Sequence, residues 1–143
     1  MGVPADVGGY SVRPIGIIRS PFTDRKQCPN QAYDGAPEAW VEIDPACAAG
    51  LRGIAPGAEL ILLTWLHAAA RDVLQVHPRR RPEDPVKGVF LTRSPDRPNP
   101  IGLHRVEVVA VEEPGRFRVR ALEALDGTPV LDIKSVLAKS ADA

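Results

Sequence analysis

Between Gly88 and Gly102 the chain reads Gly-Val-Phe-Leu-Thr-Arg-Ser-Pro-Asp-Arg-Pro-Asn-Pro-Ile-Gly, and in that run Arg93, Arg97 and Asn99 are the residues able to do chemistry. Each arginine carries a planar fork of N–H donors suited to a carboxylate or phosphate, and the asparagine amide both donates and accepts. Prolines 95, 98 and 100 fix φ and push the residues before them toward extended backbone, so little conformational entropy is lost on ordering. They also offer no N–H. That leaves the three side chains as the main hydrogen-bonding equipment of a stiff strap that can hold a polar ligand. A Pro-rich turn between two strands, its arginines in water, would use the same residues, since turns also collect Pro, Asn and Asp.

Other residues of chemical interest are scattered. His67 ends an apolar run, a place where a lone histidine packs or caps as readily as it catalyses. Asn30 and Gln31 sit in a polar, unperiodic stretch and read equally as turn residues. Arg79-Arg80-Arg81 forms a basic run. From Arg71 to Arg105 there are eight basic and four acidic residues, +4, which leaves −4 on the remainder of a chain whose formal net charge is zero. Charge gathered around the strap would suit a phosphate-bearing partner such as RNA, and a solvated loop accounts for it as well. Cys28 and Cys47 have no metal-ligand spacing, and no GxGxxG follows a strand, so neither a zinc site nor a Rossmann-type nucleotide cradle is expected.

The elements that must position these residues are mostly strands. With 143 residues the chain suits one domain, and 15 prolines with 12 glycines favour turns over long helices. Strands are predicted at Val12–Arg19, Trp40–Ile43, Ala58–His67, Leu103–Glu113, 116–121 and 129–137. The third reads as a central strand buried on both faces. In the fourth, His104, Val106, Val108 and Ala110 share one face and Arg105, Glu107, Val109 and Val111 the other. Pro114-Gly115 supplies a hairpin turn. Asp44-Pro45 predicts the N-cap and first position of a brief helix ending near Gly50 or Gly53. Residues 77–87, broken by prolines 78, 82 and 85, read as a mobile basic loop whose arginines meet no strong local counter-charge. Residues 1–10 and 138–143 read as loose ends. Lacking βαβ alternation, the order suggests a mostly-β domain, a compact closed or partly closed barrel with one or two short helices. With no signal-peptide pattern and no apolar run of membrane-spanning length, a cytoplasmic protein is expected.

Three motifs carry a family resemblance. Val89-Phe90-Leu91-Thr92-Arg93-Ser94-Pro95, continued by Arg97-Pro98-Asn99-Pro100-Ile101-Gly102, closely resembles the signature of the TsaA-like family. Ile15-Gly16-Ile17-Ile18-Arg19-Ser20-Pro21 with Cys28-Pro29-Asn30-Gln31 is similar to that family's opening strand and Pro-x-Gln turn. Leu125-Asp126-Gly127-Thr128-Pro129-Val130-Leu131-Asp132-Ile133-Lys134 looks like its closing motif. The resemblance implies the same barrel and an S-adenosylmethionine-dependent methyltransferase acting on N6-threonylcarbamoyladenosine at position 37 of tRNA. It implies that the cofactor lies against Pro29, Asn30, Gln31, His67, Arg93, Leu103, Leu125, Asp126, Gly127 and Thr128, with Arg93 gripping the methionine carboxylate. RNA would meet Arg79, Arg80, Arg81, Arg97 and Asn99. Asp126, Glu123 and His67 are candidate bases, unranked, and no metal is required. A homodimer is expected, with the strap and the 125–128 turn near its interface. The chain departs from the family in reading Pro29-Asn30-Gln31 for Pro-Arg-Gln, and Asp132-Ile133-Lys134-Ser135-Val136 for Asp-Ile-Lys-Pro-Tyr. Two alternatives keep the cofactor and change the rest: a small-molecule methyltransferase, or a non-catalytic S-adenosylmethionine-binding domain.

Overall fold

Apolar residues at every second position build the sheet. The computed structural model describes residues 9–24, 38–77 and 81–137, so of the expected loose ends only Gly9 and Tyr10 fall within it. Among the described residues eight strands appear: β1 Gly16–Arg19, β2 Ala39–Ile43, β3 Glu59–Trp65, β4 Gln75–Val76, β5 Lys87–Gly88, β6 Ile101–Glu112, β7 Arg116–Arg120 and β8 Pro129–Ser135. Six of them close into a ring in the order β1-β2-β7-β6-β3-β8, with β8 paired back onto β1 and every pairing antiparallel. The expected mostly-β architecture is the one observed.

The ring's interior holds the core. Ile18, Val41, Leu62, Val108, Phe117, Val119, Leu122 and Val130 are fully buried there, joined by Ala39, Ile43, Val106 and Ala124. β7 alternates as expected, its arginines outward and Phe117 and Val119 inward. On the outer face of β2, Trp40 lies under the Arg116 guanidinium, 3.8 Å from the ring centroid, a favourable cation–π contact.

Several boundaries move for physical reasons. β1 begins at Gly16, not Val12, because Pro14 lacks a ladder donor and Val12 is exposed. β3 is buried on both faces only at Ile61 and Leu62. β6 starts two residues earlier than expected, and its register against β7 shifts between Val108 and Ala110. The extra residue there reverses the facing of the residues beyond it, so Val111, expected on the face of Arg105 and Glu107, pairs with Phe117 and packs on the core. The brief helix after Asp44 is a 3-10 helix, Pro45–Leu51, whose first turn is capped by the Asp44 carboxylate accepting from Ala46 N at 2.9 Å. The loop expected at 77–87 is bracketed by an unforeseen two-stranded pairing of β4 with β5, too short to leave a periodic signal.

Antiparallel closure sorts the loops. One end of the ring gathers the C-terminal ends of β1, β3 and β7 and the N-terminal ends of β2, β6 and β8. The segments after β1, after β3, before β6 and before β8 therefore emerge together, and these carry the motifs singled out above. At that end Gly102 admits no side chain: a Cβ there would lie 2.5 Å from Thr64 Oγ1 and 2.7 Å from His104 Nε2. Gly102→Ala is accordingly expected to destabilise the fold by about 1–3 kcal/mol, the usual cost of overpacking a filled interior, read as a lower urea midpoint at unchanged slope.

Candidate functional site

The strap's conformation is set largely by its own side chains. Arg97 Nη1 donates to the carbonyls of Thr92 at 3.0 Å and Ser94 at 2.9 Å, and its Nη2 donates to the Val89 carbonyl at 2.8 Å. Thr92 reinforces the same turn, its hydroxyl donating to Val89 O at 2.9 Å and accepting from Ser94 N. The far arm is fastened to the segment that follows β3. Ala70 N donates to Asp96 Oδ1 at 2.8 Å, Arg97 N to Ala70 O, and Leu66 N to Pro100 O. Arg71 Nε donates to Pro98 O at 2.8 Å and its Nη2 to Asn99 Oδ1 at 3.1 Å, while the guanidinium sits over Trp65.

The second cluster is the Leu125-Asp126-Gly127-Thr128 turn. Thr128 N and its hydroxyl both donate to Leu125 O, at 3.1 and 2.7 Å, and Gly127 has φ of +85°, a value the third position of a type II turn demands. The turn is bolted to the end of β1. Asp126 Oδ1 accepts from Ser20 N at 3.1 Å, Asp126 N donates to Phe22 O at 2.7 Å, and the Ser20 hydroxyl donates to Ala124 O at 2.6 Å. Arg19 lies 3.7 Å from the same carboxylate.

The fold brings His67, Arg93, Leu103 and the turn 125–128 to one end of the ring, by the strand ends that carry them. His67, Arg93 and Leu103 are exposed, whereas Thr128 is buried and its hydroxyl serves the turn. Glu123 is half-buried beside them, and desolvation raises its carboxyl above the usual range. Pro29, Asn30, Gln31, Arg79 and Arg80 lie outside the described residues. Within the strap, Arg97 and Asn99 are engaged by the carbonyls of 89–94 and by Arg71. One expectation about the 77–87 loop needs correction: Arg81 has a local counter-charge, its Nε and Nη2 gripping Asp84 at 3.0 and 3.1 Å. A shallow hollow lined by Pro14, Gly16, Ile17, Glu42, Ile43 and Asp44 lies at the other end of the ring and offers no cation. Among the described residues no cluster of His, Cys, Asp or Glu could hold a metal, and no helix is long and apolar enough to cross a membrane.

Sequence reasoning missed Ser20 and Arg71, the fasteners of the two clusters. The signal for Arg71 was available: a strap of prolines has carbonyls in need of donors from elsewhere.

The profile of the tRNA-methyltransferase O N-terminal domain matches residues 17–143. The chain belongs to that family. It is 43% identical over 123 residues to a "Probable S-adenosyl-L-methionine-binding protein" of Methanothermobacter thermautotrophicus, covering 86% of this chain and 87% of that one. To an "S-adenosyl-L-methionine-binding protein" of Archaeoglobus fulgidus it is 44% identical, with 86% of each covered. Among solved structures, TrmO from Pseudomonas aeruginosa superposes with a TM-score of 0.71 at 34% identity, covering 94% of this chain and 60% of that one. This member of the tRNA-methyltransferase O N-terminal domain family thus spans about three fifths of that TrmO chain.

Beneath the strap, Thr64 Oγ1 and His104 Nε2 form a 2.8 Å hydrogen bond, and burial lowers the His104 pKa from 6.5 to about 4. Above about pH 6.5 the histidine is neutral folded or unfolded, and the fold has its full stability; as pH falls toward 4 the unfolded chain takes up a proton that the folded one refuses. Up to about 3 kcal/mol should be lost over that window, at about 1.4 kcal/mol per unit of pKa difference. Glu123, with its raised pKa, opposes this at the acid end. Chemical denaturation from pH 7.5 to 4 should therefore show a falling stability that His104→Gln flattens.

Proposed function

We propose that this chain is an S-adenosylmethionine-dependent methyltransferase of tRNA, acting on N6-threonylcarbamoyladenosine at position 37. The observation that carries the reading is the convergence at one end of the ring of the Arg93 strap, the Asp126 turn and the His67 segment, in a chain of this family. The names of its relatives support the cofactor, and those of the TrmO structures support the tRNA.

The residues present suit such a cofactor. Arg93 offers an exposed planar cation for a carboxylate, Leu103 an apolar surface for a ring, and the rigid 125–128 turn backbone groups for an amino group or adenine edge. When bound, S-adenosylmethionine supplies an electrophilic methyl group on a sulfonium. The chain's task is then alignment of donor and acceptor away from water, because charge disperses in the displacement. The acceptor nitrogen of a urea-like group must also lose a proton. Of the three candidate bases, Glu123 is favoured. Desolvation makes its carboxylate more basic, whereas the Asp126 carboxylate is held by Ser20 N and faces Arg19.

Two copies would enclose more of a cofactor and an RNA base than one small ring can. Phe90 and Leu91 are 76% and 80% exposed on the strap, and Ile101 and Leu103 are 48% and 41% exposed beside it, apolar surface that a second copy would cover. A dimer mass by light scattering at micromolar concentration is expected with cofactor present; a monomer mass would remove this part of the reading. On the tRNA reading the protein works in the cytoplasm, where its substrate is.

Incubation with S-adenosylmethionine and tRNA carrying threonylcarbamoyladenosine should yield the methylated nucleoside by mass spectrometry. Methylation of a small molecule alone would favour the small-molecule alternative, and cofactor binding without turnover the non-catalytic one. Arg93→Ala should weaken cofactor binding by about thirty-fold, the loss of a charge-assisted contact worth about 2 kcal/mol, and unchanged affinity by calorimetry would remove Arg93 from the site.

A further inference from the structure

We infer that Arg97 is a positioning residue, which sets the presentation of Arg93 and so the affinity for the cofactor, without touching cofactor or RNA itself. The inference rests on the reading of Arg93 given above. Its ground is the geometry of three carbonyls. Thr92 O and Ser94 O belong to the residues on either side of Arg93, and both accept from the same nitrogen, Nη1 of Arg97. Two peptide planes, the ones that follow Thr92 and Ser94, are thereby aimed at one point, with the plane that follows Arg93 between them. Val89 O, which receives Nη2, also receives Thr92 N and the Thr92 hydroxyl, so the guanidinium joins the base of the turn to its tip.

The backbone alone could not do this. Pro95 and Pro98 flank Arg97 and bring no N–H, and the carbonyls of 92 and 94 point inward, where a donor must meet them. Arginine is the side chain with enough donors in a fixed plane to serve three acceptors, and it carries no acceptor of its own to compete. Its main chain is fixed too: Arg97 N donates to Ala70 O, beside Arg71, which holds Pro98 O and Asn99. Arg93 therefore stands on a turn whose inner side is filled by one guanidinium, itself anchored to the segment that carries His67.

The test is a double-mutant cycle on affinity for S-adenosylhomocysteine, the stable demethylated product, by calorimetry. Arg97→Lys retains a cation with three donors but loses the planar fork. It should weaken binding about tenfold in the parent protein and by less than about twofold in an Arg93→Ala background, because its effect passes through Arg93. Equal fold-changes in both backgrounds would overturn the inference, since Arg97 would then act independently of Arg93. Arg97→Gln adds a second readout. If Arg97 touches phosphate, this variant lowers the salt slope of tRNA binding by about one while leaving product affinity intact, and that result also overturns the inference. Thermal unfolding of each variant separates loss of the turn from loss of the fold, and a collapsed Arg97→Lys, with Arg97→Gln folded and silent on product affinity, counts against it. Failure of the underlying reading looks different: the parent protein would not bind the product, or Arg93→Ala alone would leave its affinity unchanged.

Discussion

Closure of the ring depends on the narrow seam between β1 and β8, where Gly16 pairs with Val130 and Ile17 with Pro129. A proline in the seam and only two residue pairs would make a weak ladder, and hydrogen bonds just beyond it make up the difference. Ile15 N donates to Val130 O, Ile18 N to Thr128 O, and Gly127 N back to Ile18 O. The turn at 125–128 is thus both a candidate part of the binding surface and the last rung of the closure. That double duty explains why Thr128 is buried and why its hydroxyl faces Leu125 O. Once closed, the ring has no exposed edge strand, and its two ends become distinct surfaces.

The strap follows the same logic in a harder setting. Proline stiffens a loop by removing freedom, but it also removes donors while leaving every carbonyl in place. Each inward carbonyl then needs a partner from a side chain or from another segment. Arg97 and Arg71 meet that demand, the first from within the strap and the second from the segment after β3. An arginine among prolines therefore has two uses that sequence cannot separate: reaching outward to a ligand, or inward to the backbone. Arg97 takes the inward use, its guanidinium held by carbonyls of the strap itself.

Much of the fold was legible because its signals are local. Strict alternation in Arg116–Arg120 reports one buried face, and Asp44-Pro45 reports a helix start, whatever the rest of the chain does. What escaped was set by contacts distant in sequence. The extra residues in β6 and β8 that shift register depend on the curvature of the closed ring, so Val111 could not be assigned inward from its own neighbours. β4 and β5 hold two residues each and exist because Leu74 O meets Val89 N beside them. In the site the motifs themselves were visible. Their gathering at one end required the strand order, and the fasteners Ser20 and Arg71 required the partners, separated by 106 and 28 residues in sequence.

Electrostatics narrows where a polyanion could be met. The segment from Arg71 to Arg105 carries +4 in sequence, yet several of its basic residues are held by partners within the protein. Arg71 and Arg97 hold strap carbonyls, Arg81 grips Asp84, and Arg105 pairs with Glu59 at 2.9 Å. A guanidinium held by carbonyls keeps its charge, so these residues still raise the local potential, but a paired one such as Arg105 contributes little beyond a Debye length of about 8 Å. Phosphate contact, on the RNA reading proposed above, suits cations that no backbone orients. The division of labour is consistent with the rest of the molecule: arginines that close turns are oriented by the backbone they serve, and a long, flexible polyanion is the ligand that least requires such orientation.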